Sequence, residues 1–141
     1  MKYFLLLALT FFIIACDKKD QANGISPMHW DRDMCARCVM VISDRKNSVQ
    51  VKVDNNTYKF DDLGCMVIWA DETKKDILNN SKIYVTDVLD GSWIDAKKAF
   101  YTSGNSTPMG YGYSAYKSKQ DISSDKEILS FTEVYNKIKS K

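Results

Sequence analysis

The sequence predicts an α+β domain made of two unequal β-β-α-β units, the second one shortened. Three observations carry that expectation. Ser48 to Val53 alternates strictly between polar and apolar residues, the mark of a half-buried strand. A polar turn and a second short strand follow, and then an apolar stretch from Leu63 to Ala70 with helical spacing. From Trp93 onward the same kinds of segment recur in abbreviated form, with too little identity between the halves to prove a repeat.

The first residues are an address and not part of that fold. Lys2 supplies a positive charge, and Tyr3 to Ile14 is an uncharged run of twelve residues, short of the roughly 20 that a membrane span needs. The run ends in Ile13-Ile14-Ala15-Cys16, which matches the bacterial lipobox. Residues 1–15 are therefore expected to be a signal peptide cleaved before Cys16, whose thiol takes the lipid. Residues 16–27 then form a polar, lipid-anchored tether and residues 28–141 the folded domain. Asp17, directly after the lipobox cysteine, matches the inner-membrane retention signal of enteric lipoproteins. The expected location is the periplasmic face of a bacterial membrane, inner favoured over outer.

Within the domain, Ser48 to Val53 is the first strand, Asp54-Asn55-Asn56-Thr57 the turn, and Tyr58-Lys59-Phe60 the returning strand. Asp61-Asp62 can cap a helix that begins near Leu63 and turns Met66, Val67, Trp69 and Ala70 inward. Lys74-Lys75-Asp76 and Asn79-Asn80 close that helix, and Lys82 to Val88 is the third strand. In the second half, Trp93-Ile94-Asp95 and Ala99 to Thr102 read as extended, with Asp95 to Lys98 as a possible turn between them. Gly104 to Gly112 is loop, and Tyr113 to Tyr116 is strand. Ser123 to Glu127 is a short helix or a turn. Ile128 to Phe131 is expected as an edge strand, and Thr132 caps a last amphipathic helix with Val134, Tyr135 and Ile138 inward.

Charge excludes one class of partner. Once the signal peptide is gone, 19 basic residues face 18 acidic ones, scattered without blocks, whereas nucleic-acid binding needs a clustered basic surface. Cysteine usage excludes another reading. Three cysteines remain after lipidation of Cys16, an odd number in an oxidising compartment, so a structural disulfide framework explains them poorly.

The sulfur atoms carry the chemistry. Cys35-Ala-Arg-Cys38-Val-Met40 holds two thiols and a thioether, and Met109 stands downstream in Thr107-Pro108-Met109-Gly110. Cys and Met together are soft donors that suit Cu(I) better than harder cations. Zinc normally takes four ligands from a second Cys-x-x-Cys or a His pair; the chain has no second pair, and His29 is its only histidine. A thioredoxin-like motif should open a helix, but Val39 to Ile42 is a β-branched run that reads as strand. In an extended segment Cys38 and Met40 would share a face. Met109 lies between Pro108 and Gly110 in a polar loop, where a core methionine is unexpected. His29 is a candidate accessory ligand, as is Cys35. Cys65, in the first turns of the helix, reads chiefly as a small buried residue, with a ligand or a partner for Cys35 as the remaining alternative.

Taken together, these residues resemble the NosL family of copper-binding lipoproteins, accessory factors for nitrous oxide reductase maturation. The resemblance runs from the lipobox through Cys35-Ala-Arg-Cys38-Val-Met40, Phe60-Asp61-Asp62, Gly91-Ser92-Trp93-Ile94-Asp95-Ala96 and Ala99-Phe100-Tyr101 to Thr107-Pro108-Met109-Gly110. Val39 departs from it, because the family commonly has Gly between the second cysteine and the methionine. The resemblance implies a fold of two β-β-α-β units and a Cu(I) core of the Cys38 thiolate and the Met109 thioether, with Met40 and His29 as accessory ligands. It also implies a non-enzymatic role: delivering copper to apo nitrous oxide reductase together with a periplasmic accessory protein and an ABC transporter. Two alternatives stay open, a thiol-disulfide oxidoreductase using Cys35 and Cys38, and a lipoprotein that only buffers copper.

Overall fold

Alternating valines start the main sheet. Strand β1 (Val49–Val53) buries Val49, Val51 and Val53 and turns back into β2 (Asn56–Phe60). Asp54 and Asn55 make that turn with φ of 51° and 61°, the paired left-handed geometry whose twist matches a two-residue hairpin. The structure is a computed structural model that describes residues 23–141. The expected signal peptide, the expected lipidation at Cys16 and the start of the expected tether lie outside the described residues. Among the described residues no helix is long and apolar enough to cross a membrane.

Helix α1 (Leu63–Glu72) follows β2 directly, with Asp62 as its N-cap accepting a hydrogen bond from the Gly64 N–H at 2.9 Å. It buries Met66, Val67, Trp69 and Ala70, and Trp69 packs against Phe60 and Tyr58 of β2. The helix stops at Glu72, earlier than its sequence suggests, and a separate short turn α2 (Ile77–Asn80) is capped by Asp76. Strand β3 (Lys82–Thr86) pairs with β1, and β4 (Trp93–Asp95) pairs with β3, giving an antiparallel sheet of order β2-β1-β3-β4.

The second half forms a two-stranded antiparallel sheet, β5 (Phe100–Thr102) with β6 (Ser114–Tyr116). Trp93–Asp95 therefore closes the first sheet instead of pairing with Phe100–Thr102. The two sheets are joined where the Val88 N–H donates to the Ala115 carbonyl at 2.9 Å. The expected edge strand at Ile128–Phe131 reduces to a single bridge, in which Leu129 and Tyr101 exchange hydrogen bonds of 2.8 and 2.9 Å. Helix α3 (Phe131–Lys139) begins one residue before the expected cap. Ser130, not Thr132, is its N-cap, because Ser130 and Glu133 bond reciprocally in a capping box. Val134, Tyr135 and Ile138 are buried as expected. The architecture is α+β with two antiparallel sheets over a shared core.

The segment entering the domain covers the outer side of β1. Gln50 is buried there, its amide donating to the Ser26 carbonyl at 2.9 Å and its oxygen accepting from the Ser26 N–H at 3.1 Å. That contact leads the chain towards the end of β2, where the cysteine loop sits.

Candidate metal centre

Residues 31–42 fold as a narrow loop with two closing arms. Met34 and Val41 form an isolated bridge, and the Cys35 N–H donates to the Met40 carbonyl at 2.8 Å. The predicted strand at Val39–Ile42 is thus only the return arm of this loop. Val39 itself has φ 61°, a left-handed backbone that a β-branched side chain rarely adopts. The extended geometry that would put Cys38 and Met40 on one face is therefore not formed. Met40 is 53% exposed, whereas Cys38 is half-buried.

The loop is docked onto the junction of β2 and α1. The Ala36 N–H donates to the Lys59 carbonyl at 2.8 Å, and Arg37 forks across both carboxylate oxygens of Glu72. This docking brings Cys35 and Cys38 to Asp61, at the end of β2, and to Cys65, in the first turn of α1. The three Sγ atoms and one Asp61 carboxylate oxygen all lie within 4.8 Å of one another. Cys35, Cys65 and Asp61 are buried, and all three cysteines are free thiols. The Cys38 thiol donates to Asp61 Oδ2 at 3.4 Å. Asp61 Oδ1 is buried without a hydrogen-bond donor among the described residues.

Proton affinity is unequal across the three thiols. The Cys65 thiol donates to Cys35 and holds it down, against the opposing effect of burial; backbone N–H groups of Cys38, Asp61 and Arg37 add to the lowering, to about 6. Burial, with Cys35 and Asp61 as neighbours, pushes Cys38 up to about 11. Cys65 also moves upward, because its proton serves the hydrogen bond to Cys35 and its surroundings are buried. Neighbours and hydrogen bonds thus lower the buried Cys35 thiol and raise the more accessible Cys38 thiol.

Met109 reaches the same region from the second half of the chain. Its N–H donates to Asp62 Oδ2 at 3.0 Å, so Asp62 holds the start of α1 with one oxygen and this loop with the other. The Thr107–Gly110 turn closes through the Gly110 N–H to the Thr107 carbonyl at 3.0 Å. Tyr111 lies directly over Gly64. The Met109 backbone is thereby tied to the residue next to Asp61, with its side chain partly exposed. His29 is not gathered into the four-donor group. Its imidazole is 62% exposed, with Nδ1 3.6 Å from Asp33 Oδ1.

One member of the group escaped the sequence reading, since Asp61 passed as half of a helix cap; Cys65 was read chiefly as core, with a ligand role only as the lesser alternative. The available signal was redundancy, since one aspartate suffices for a cap and Phe60-Asp61-Asp62 has two. The fold also changes the ligand count that weighed against zinc, because Cys65 and Asp61 complete a set of four.

The NosL family profile matches residues 28–126. The chain belongs to the NosL family. Among curated protein sequences none matches it. In structure it is similar to the crystal structure of the copper chaperone NosL from Shewanella denitrificans, with a TM-score of 0.58 at 15% identity. The match covers 77% of this chain and 94% of that one. At that identity the likeness is one of fold. This NosL family member thus combines the family's fold with a cysteine-rich group able to hold a metal.

Proposed function

We propose that this protein is a Cu(I) carrier, tethered by lipid at Cys16 to the periplasmic face of the membrane, that delivers copper for maturation of nitrous oxide reductase. The observation that carries the reading is the gathering of three free thiols with only Cys38 open towards solvent. Soft thiolates hold Cu(I) firmly, and a half-exposed ligand lets an incoming donor attack the metal before the carrier releases it. Cys38 and Met109 form the exchange face, and Cys35 lies behind Cys38 as a second thiolate. Met40 is an exposed accessory donor, whereas His29 stands apart from the thiols. Lipid tethering confines the search to the membrane surface and raises the effective concentration near a membrane-bound transporter. The recipient is apo nitrous oxide reductase, reached with a periplasmic accessory protein and an ABC transporter.

The oxidoreductase reading meets a physical obstacle. Such an enzyme needs its acidic thiol accessible to the substrate disulfide, but here the acidic thiol is Cys35, which is 2% exposed. An anaerobic Cu(I) titration with a competing chelator tests the carrier reading. Cys38→Ser should abolish tight binding, Met109→Ala should weaken it, and the loaded protein should transfer copper to apo-reductase. Stoichiometric tight binding by Cys38→Ser would sink the assignment, and copper that never transfers would leave a buffer in place of a carrier.

A further inference from the structure

We propose that the cleft between the N-terminal segment and the edge strand β4 lies against the membrane and takes the headgroup of an anionic phospholipid. The inference rests on lipidation at Cys16, as the carrier reading does. The cleft has a volume of about 580 Å³, and its walls include Asn23, Trp30, Arg45, Asp90, Trp93 and Lys117. It shares no residue with the thiol group.

Chain connectivity is the first support. Six residues separate Cys16 from Asn23, so even fully extended they place this wall of the cleft within about 25 Å of the lipid. The Tyr84 hydroxyl ties Asn23 to the sheet by donating to its carbonyl at 2.9 Å. The chain thus heads for its anchor from the rim of this cleft, and the bilayer is the surface that so short a tether brings to it.

The lining is the second support. Trp30 and Trp93 stack with ring centroids 6.4 Å apart at 15°, and both are partly exposed. Tryptophan collects at the headgroup level of membranes, where its ring meets apolar chains and its N–H meets polar groups. Arg45 Cζ lies 5.6 Å from the Trp30 centroid. Neither Arg45 nor Lys117 makes an ion pair among the described residues, which leaves two cations for a phosphate. Asp90 is the one carboxylate in the lining, and its Oδ1 accepts from the Ser92 N–H at 2.8 Å. Leu89, one residue earlier, is 54% exposed and can enter the apolar boundary below the headgroups.

These groups are held together by buried structure. Asp87, 3% exposed, accepts from the Leu89 N–H at 2.7 Å with one oxygen and from the Lys117 N–H at 2.8 Å with the other. Gly91 takes φ 74°, and a Cβ there would stand 3.1 Å from the Arg45 carbonyl oxygen. The close approach fixes the Leu89–Gly91 turn beside Arg45.

The test uses the acylated mature chain in vesicles of phosphatidylethanolamine with phosphatidylglycerol and, separately, of phosphatidylcholine alone. Each vesicle carries lipid brominated on the acyl chains, and mass spectrometry first establishes the lipid on Cys16. Tryptophan emission should be quenched on the anionic vesicles and much less on the neutral ones. Trp30→Phe and Trp93→Phe should each remove part of the quenched emission, leaving that of the buried Trp69. Each cation at an anionic surface is worth roughly fivefold, so Arg45→Gln with Lys117→Gln should lower the ratio of docked to undocked domain about 25-fold. Emission unquenched on both vesicles, or equally quenched on both, overturns the proposal. So does emission that changes only with protein density, which would put a second copy in the cleft. If the paired variant fails to fold, the comparison of the two vesicles decides alone. A chain without lipid at Cys16 overturns the anchor and this face together. Unquenched tryptophans on an acylated chain sink this face alone and leave the copper titration of Cys38→Ser untouched.

Discussion

Tyr111 lies so close over Gly64 that a Cβ on this glycine would sit 1.9 Å from the tyrosine Cγ. The contact presses the Met109 loop against the first turn of α1, and the Met109 N–H to Asp62 bond fastens it to the cap of that helix. Gly64→Ala raises helix propensity but must lift the ring. It should destabilise the domain by about 1–3 kcal/mol, the usual cost of overpacking, and loosen Cu(I) binding in parallel with Met109→Ala. Urea unfolding and a copper titration of the variant check both; unaltered stability would show that the ring has somewhere else to go.

Val39 is the strained position of the cysteine loop. Its φ of 61° costs an L-residue roughly 1–2 kcal/mol, and its side chain is 64% exposed, so little packing offsets that cost. Glycine relieves the strain but adds unfolded-state entropy of about 0.4–1 kcal/mol. Val39→Gly should therefore stabilise the protein modestly, by about 0.5–1 kcal/mol. A lower denaturation midpoint for the variant contradicts this.

The acidic thiol of Cys35 makes stability depend on pH. Its ordinary value of 9.0 falls to about 6 in the fold, held down chiefly by the Cys65 hydrogen bond. A depressed group contributes stability that is full above its unfolded value and is lost as pH falls through the folded one. The reduced, metal-free protein should lose stability steadily between about pH 9 and pH 6 and level off below. In the same window thiolate absorbance should fall with a midpoint near 6, and Cys35→Ser should remove both trends. A midpoint near 9 in the wild type would place the first thiolate elsewhere.

Arg37 and Glu72 hold the cysteine loop to the far end of α1, with Nη2 2.8 Å from Oε1. Glu72 is 53% exposed, so solvent screens the pair, and its geometry rather than its burial carries the effect. A double-mutant cycle with Arg37→Ala and Glu72→Ala should give a coupling of about 0.5–1 kcal/mol that shrinks in high salt. A coupling indistinguishable from zero at low salt would mean that the Ala36 bond to β2 docks the loop without help.

How much of this was legible follows from how local each signal is. The β1–β2 hairpin, the Asp62 cap and the inward face of α1 are written in neighbouring residues, so alternation and turn chemistry found them. The cap of α3 slipped from Thr132 to Ser130 because two hydroxyl residues flank Phe131, and only the reciprocal bond with Glu133 selects one. Trp93–Asp95 read correctly as extended, but its partner was a matter of sheet order, which local pattern does not encode.

The same division runs through the metal centre. From the sequence alone came the soft donor set, the pairing of Cys35 with Cys38, and the oddity of Met109 in a Pro-Gly loop, because donor softness and turn residues are properties of single side chains and short spacings. Only the tertiary structure decided that Asp61 and Cys65 face the thiol pair, that His29 stands apart from them, and that the Cys35 thiol is the one lowered. Those outcomes depend on how the cysteine loop docks across the β2–α1 junction, through bonds such as Ala36 to Lys59 between residues distant in the chain. Burial and proton affinity exist only once that packing has excluded water.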